Sequence, residues 1–179
     1  HAIRKNSKKE ANLVKKLLKR FGISLYVIRN KNKIKNNIQK KAREVRYKLL
    51  LNFCKRRKIR YILTAHHSDD QIETFLIRLS RGSGIQGLSS MDKDIKLSKE
   101  VKLIRPLLEF KKQELKYIAK KSFGKVFKDP TNVNKKYLRT KVRSLKKQLE
   151  KSGIHHDQIL RSINNLASTR DTFNNYLKR

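Results

Sequence analysis

The run RYILTA at residues 60–65 constrains the fold of this chain more than any other stretch. It is short, rich in β-branched and aromatic residues, and apolar on both of its alternating faces. Helical spacing begins within a few residues of its end. A strand of that kind needs cover on both sides, which helices supply when they alternate with strands along the chain. The flanking segments repeat the alternation. SKKEANLVKKLLKRF (7–21) spaces Ala11, Val14, Leu17, Leu18 and Phe21 as a helix, with Ser7 and Glu10 as a capping box. Gly22 ends it, ISLYVI (23–28) reads as a buried strand, and the Lys/Asn-rich stretch 30–36 reads as a loop. A second helix follows from Ile38 to Lys55, with Ile38, Ala42, Val45, Leu49 and Phe53 on one face.

After RYILTA come a helix over 69–80, a glycine-rich turn over 82–87 and a polar, mobile-looking segment over 90–100. KLIRPLL (102–108) reads as a third strand, 111–121 as a helix, KVF (125–127) as a short strand and DPTN (129–132) as a turn. These alternations predict an α/β fold, a Rossmann-like parallel sheet with flanking helices, over residues 1–135. From residue 136 the pattern is wholly helical. Leu138, Val142, Leu145 and Leu149 form one stripe, and Ile159, Ile163, Leu166, Phe173 and Leu177 form another, so 136–179 is expected to be a helical extension.

The bulk numbers point to a partner. With 48 Lys+Arg against 14 Asp+Glu, the formal charge is +34, which favours a polyanion such as RNA or DNA. No stretch pairs a large basic face with an aromatic apolar one, as a membrane-surface helix would, and no apolar run is long enough to span a bilayer. No signal peptide is visible. The single cysteine, Cys54, excludes an internal disulfide or a four-cysteine zinc or iron–sulfur site within these residues, and it suits a reducing cytoplasm.

Against that basic background, residues 66–73 hold two histidines, two aspartates and a glutamate. They follow RYILTA directly, and ligands in open parallel sheets bind beyond the carboxyl ends of the strands. Ser68 and Gln71 match a capping pattern that would start the helix there. Ile72, Phe75, Leu76 and Leu79 make its buried stripe, and Asp70 and Glu73 lie side by side on a neighbouring face. Asp69 reads as an acid favoured by the helix dipole. Asp70 and Glu73 read as functional: two carboxylates there can hold Mg²⁺ against nucleotide phosphates or grip an ammonium group. His66 and His67 are either nucleotide contacts or residues that start the helix. Arg81-Gly82-Ser83-Gly84 offers a cation and backbone amides to a phosphate. The histidine spacing does not match a zinc site.

The run A-H-H-S-D-D-Q-I-E-T-F-L-I-R-L-S-R-G-S-G (65–84) resembles the signature of tRNA(Ile)-lysidine synthetases, a branch of the PP-loop ATP pyrophosphatases. H-A-I-R (1–4), N-I-Q-K-K-A-R-E-V-R-Y (37–47), I-R-P-L-L (104–108), D-P-T-N (129–132) and R-T-K-V-R (139–143) extend the resemblance over residues 1–150. It implies a PP-loop fold and an ATP-dependent ligase acting on tRNA(Ile) with a CAU anticodon. The family adenylates C2 of the first anticodon cytidine, releasing pyrophosphate. The ε-amine of free L-lysine then displaces AMP and makes lysidine.

By the same resemblance, Asp70, Glu73 and Arg46 surround ATP and lysine, with His66 as a further catalytic candidate. His67, Thr74 and the 81–84 turn are expected at the nucleotide, Asp70 at Mg²⁺, and Arg139, Arg143 and Arg105 at the tRNA. The oligomeric state is left open, a homodimer included. One departure stands out: the family's S-G-G-x-D-S phosphate loop does not occur in these residues. Since residue 1 is histidine and already matches a strand-end motif, the loop is expected upstream, and this chain alone is expected to be inactive. A tRNA-binding relative without catalysis and another tRNA-modifying PP-loop enzyme are the alternatives. Cys54 standing alone argues against a sulfur-inserting enzyme that needs paired cysteines.

Overall fold

The structure, a computed structural model, describes residues 7–30, 38–127 and 138–178. In chain order its elements are α1 (Ser7–Lys19), α2 (Ile38–Arg56), β1 (Tyr61–Leu63), α3 (Ser68–Leu79) and α4 (Ile85–Leu88). They continue with β2 (Asp94–Lys96), β3 (Lys102–Ile104), α5 (Lys112–Phe123), α6 (Leu138–Lys151) and α7 (His156–Tyr176). The DPTN turn lies outside the described residues. Two compact units emerge: one comprises the described residues up to Ile62 with Lys96–Leu103, the other Leu63–Ile95 with the described residues from Ile104 onward.

The strand order is β1-β3-β2. Lys102 N–H donates to the Arg60 carbonyl (2.9 Å) and Thr64 N–H to the Ile104 carbonyl (3.0 Å), so β1 and β3 run parallel, as the alternating pattern requires. Leu97 N–H to the Val101 carbonyl (2.9 Å) and Arg105 N–H to the Lys93 carbonyl (2.7 Å) make β2 the antiparallel partner of β3. The 90–100 segment therefore contributes a strand, which its polar composition did not announce.

In the first unit the core is Cys54 on α2, Ile62 on β1, and Val101 and Leu103 around β3, with Tyr47, Leu50, Leu51 and Leu97 packed against them. Gly22, in the left-handed region at φ 67°, ends α1 and lets Ile23 N–H reach the Leu18 carbonyl (3.0 Å). The expected strand at 23–28 does not pair into the sheet. It forms no regular secondary structure, and Tyr26 is 58% exposed. Side-chain stacking holds it instead: the Tyr26 ring lies 5.3 Å from that of Phe53 on α2, and the Arg57 guanidinium 5.4 Å from the Tyr26 ring. KVF at 125–127 likewise forms no strand. Both segments carry strand-forming residues, but propensity makes a strand only where a neighbour offers backbone partners.

In the second unit α3 packs on α7 through Ile72, Ile159 and Ile163, with Phe75 and Leu76 beside them. The helices of the expected 136–179 extension, α6 and α7, thus contact α3 within one compact unit. Their stripes are buried only in part: Val142 is buried, whereas Leu138, Leu145, Phe173 and Leu177 are exposed.

Candidate functional site

The acidic turn begins α3, and it is capped differently from the sequence expectation. Ser68 and Gln71 do not form the cap. His67 is the N-cap residue: its Nδ1 accepts from Asp70 N–H (3.3 Å), and the Asp70 carboxylate accepts from His67 N–H (3.1 Å). The displacement by one residue has a clear cause. Ser68 is fully buried, with its hydroxyl donating to the Phe110 carbonyl (2.9 Å), so it is unavailable as a cap. Gln71 clips the Met91 backbone instead: its Nε2 donates to the Met91 carbonyl and its Oε1 accepts Met91 N–H, both at 2.8 Å.

Glu73, one turn further along, is 4% exposed. Its carboxylate is gripped by Arg143 of α6, whose Nε donates to Oε1 (2.5 Å) and Nη2 to Oε2 (3.2 Å). This two-point geometry is what guanidinium and carboxylate planes favour. The hydrogen bond to Glu73 pushes Arg143 further up than its ordinary value, against the opposing effect of burial. Arg143, expected at tRNA, is thus engaged at the acidic turn.

Asp69 is more than a dipole-favoured acid. Its Oδ1 accepts from Lys146 Nζ (2.6 Å) and its Oδ2 from Lys112 N–H (2.9 Å). Burial pushes its carboxyl up, but these two donors and the lysine charge outweigh that and hold it at about 2. A carboxyl held below its ordinary value stabilises the fold above about pH 4, and that contribution fades as pH falls through about 2. Asp69→Asn is therefore expected to cost about 2 kcal/mol at pH 7 in urea unfolding. A tenfold change in proton affinity corresponds to about 1.4 kcal/mol, reduced here because water partly screens the pair. The gap between variant and wild type should close as the pH is lowered from about 4 to about 2. A gap independent of pH would disprove the pairing.

The other expected residues fall into distinct places. His66 Nδ1 meets Thr64 Oγ1 at 2.9 Å. Thr74 Oγ1 donates to the Asp70 carbonyl at 2.7 Å, so that hydroxyl is tied into its own helix. In the 81–84 turn, the amides of Arg81 and Ser83 donate to the Arg78 carbonyl and that of Gly82 to the Leu79 carbonyl. Those three amides close the end of α3 and are not a free phosphate cradle, with Gly82 taking the positive φ of 66° that such a turn needs. Gly84 is the N-cap of α4.

Arg105, expected at the tRNA or as a packing residue, is 4% exposed, and its Nη1 donates to the Asp92 carbonyl (2.6 Å). Arg139 is exposed on α6. Arg46 is exposed on α2, in the first unit, whereas the acidic turn belongs to the second.

The residues that sequence reasoning missed are Lys146 and His156, which complete the surroundings of Asp69 and Ser68. Lys146 carried no signal among 48 Lys and Arg. His156 sits in a second helix-starting H-H-D-Q run (155–158) that echoes H-H-S-D-D-Q at 66–71. Among the described residues no three His, Cys, Asp or Glu side chains gather to hold a metal. Mg²⁺ commonly takes one or two carboxylates and completes its shell with phosphate and water. Asp70 fits as one such ligand, with Glu73 already paired.

A family model described as a PP-loop domain matches residues 1–149. The chain belongs to the PP-loop domain family. Among relatives of this PP-loop chain, the tRNA(Ile)-lysidine synthase of Wolbachia pipientis wMel is 44% identical over 161 residues, 89% of this chain and 37% of that protein. The tRNA(Ile)-lysidine synthase of Orientia tsutsugamushi (strain Boryong) is 37% identical over 183 residues, 92% of this chain and 41% of that one. The chain thus spans between a third and a half of the length of these relatives. The U34-tRNA thiolase NcsA from Methanococcus maripaludis, solved with its [4Fe-4S] cluster, superposes with a TM-score of 0.70. At 20% identity over 94% of this chain and 58% of the other, it establishes the PP-loop fold and nothing more specific.

Proposed function

We propose that this chain is part of a tRNA(Ile)-lysidine synthase, which uses ATP and free L-lysine to convert the first anticodon cytidine of tRNA(Ile) to lysidine in the cytoplasm. The observation that carries the reading is the 44% identity to a lysidine synthase across 89% of the chain. The acidic turn of α3 is the chemical feature that fits it. A chain of charge +34 attracts an RNA backbone, and an isolated acidic turn in such a field suits a cationic amino acid.

The reaction proceeds in two steps. The C2 oxygen of cytidine attacks the α-phosphorus of ATP and pyrophosphate leaves; the lysine ε-amine then attacks C2 and AMP departs with the oxygen. Attack requires the neutral amine, so the substrate ammonium must give up a proton near the reacting carbon. Asp70 holds the ammonium and orients it, with the Arg143-paired Glu73 adding negative charge one turn along, and the Asp70 carboxylate, half-buried and capping the helix, guides the proton away. Arg143 keeps Glu73 aligned. A divalent cation, when bound, would take Asp70 as a ligand and neutralise phosphate charge. Arg46 is assigned to phosphate or to the lysine carboxylate, and Arg139 to the RNA backbone, both exposed and both able to bind bidentately.

The test uses full-length protein with Asp70→Asn and Glu73→Gln. Lysidine formation is expected to fall by at least about 100-fold in each, while tRNA affinity at fixed salt changes less than about threefold. Wild-type rates in both variants would remove the acids from the mechanism. Wild-type protein that binds tRNA yet forms no lysidine would favour a tRNA-binding relative without catalysis.

A further inference from the structure

Lys146 and His156 have no part in the chemistry above, yet they sit directly against the acidic turn. Ser68, the first residue of α3, directs both its N–H (3.0 Å) and its hydroxyl (2.9 Å) at the Phe110 carbonyl. A hydroxyl has one proton to donate, and here it is spent. The 3.0 Å contact between Ser68 Oγ and His156 Nε2 therefore requires Nε2 to carry a hydrogen. The other ring nitrogen agrees independently. Nδ1 lies 2.9 Å from Lys146 Nζ, an all-donor group, so Nδ1 must present its lone pair. Lys146 also donates to Asp69, completing a chain in which one protonation pattern satisfies every member: carboxylate, ammonium, neutral Nε2–H imidazole, hydroxyl.

The chain is largely withdrawn from water. Ser68 is 0% and His156 9% exposed, and the Lys146 and Asp69 side chains are each 20% exposed. It also completes a pattern of two rungs. Arg143 and Lys146 lie about a turn apart on α6, and they pair with Glu73 and Asp69, a turn apart on α3. Apolar contacts would hold the two helices together with a smaller desolvation cost, but they tolerate rotation and sliding. Two charged rungs and a histidine bridge to α7 are satisfied in one helix orientation only.

We infer that Lys146 and His156 are positioning residues for Asp70 and Glu73, fixing the first turn of α3 on α6 and α7 through Asp69 and Ser68. The inference rests on the proposed lysidine-forming reading of that turn. Small misplacements of reacting groups are costly, on the order of 100-fold for 1 Å. Charged groups facing His156 come from every element around it: Lys146 on α6, Asp69 on α3, Lys111 before α5 and its own neighbour Asp157. Burial and the Lys146 ammonium push the imidazole below its ordinary value, with Asp69 pulling the other way. A proton on Nδ1 would face the ammonium and break the bridge.

The experiment compares Lys146→Met, His156→Leu and His156→Gln in the full-length protein, with the exposed α6 residue Lys141→Met as control. Glutamine can donate to Ser68 and accept from Lys146 but does not titrate. Lys146→Met and His156→Leu are expected to lower kcat by about 10- to 100-fold, with KM for ATP within about threefold. His156→Gln should recover at least about tenfold of the His156→Leu loss and flatten the acid limb of the wild-type pH profile. Rates within about twofold of wild type in both breaking variants, or no recovery by glutamine, overturn the inference.

A second readout needs no turnover. Imidazole ¹⁵N NMR should report the Nε2–H tautomer, and the carboxyl ¹³C signals of Asp70 and Glu73 should move in Lys146→Met but not in Lys141→Met. An Nδ1–H tautomer or unmoved carboxyl signals overturn the inference even if the wild type proves inactive, an inactivity that counts against the proposed function alone. If Lys146→Met does not fold, the His156 pair carries both readouts.

Discussion

Arg143→Ala is expected to lower the unfolding free energy by about 3–5 kcal/mol, the usual cost of leaving one member of a buried ion pair behind. Glu73 is 4% exposed and Arg143 supplies both of its charged hydrogen bonds, so alanine strands a carboxylate where water cannot reach it freely. For a chain of this size the melting temperature should fall by on the order of 10 °C. Urea unfolding followed by circular dichroism measures the effect. The decisive control is the double replacement Arg143→Met with Glu73→Leu, which removes both charges and keeps volume. It should regain most of the lost stability, because the desolvation cost disappears with the pair. A single variant within about 1 kcal/mol of wild type, or a double variant worse than the single one, would mean that water reaches Glu73 and the pairing matters little. The same comparison bears on function. The double variant should fold and yet form no lysidine, which separates the structural cost of the pair from its place in the reaction.

Ile72→Ala carries the second large effect, about 2–5 kcal/mol, from lost apolar transfer and the cavity left behind. Ile72 is 0% exposed and joins Ile159 and Ile163 of α7 to α3, one residue before Glu73. Collapse around the hole is limited because the adjoining face of the same helix is held by the Asp69 and Glu73 rungs. Ile72→Val, which removes one methyl group, should cost about 0.5–1.5 kcal/mol. The ordering Ala well below Val well below wild type is the expected outcome in thermal unfolding. Equal effects of the two substitutions would indicate a loosely packed contact between α3 and α7.

Much of the architecture was legible because it depends on local pattern. The helices over 7–19, 38–56 and 68–79 follow the apolar spacing closely, and Gly22 and Gly82 end helices where a positive φ is needed. RYILTA and KLI pair in parallel, as strands linked by helical crossovers must. The segments that departed from expectation depend on a partner. ISLYVI has the composition of a strand but finds a ring on α2 rather than a backbone ladder, and DIK has little strand character but lies beside β3. A ladder is a property of two segments, and no single stretch records which neighbour will be there.

The site divides in the same way. The order of acids and histidines in 66–73, with its likeness to the lysidine synthetases, located the acidic turn from sequence alone, because a helix start after an apolar strand is written in adjacent residues. Sequence could not tell that Ser68 turns inward and leaves the cap to His67, that Arg105 is enclosed, or that the turn amides of 81–83 are spent on α3. Nor could it separate Lys146 and Arg143 from the other basic residues, since the pairing spans 70 and 77 positions. Charge and periodicity are carried by the chain itself. Which charge is buried against which, and with what protonation, is settled only when helices distant in sequence pack and exclude water between them.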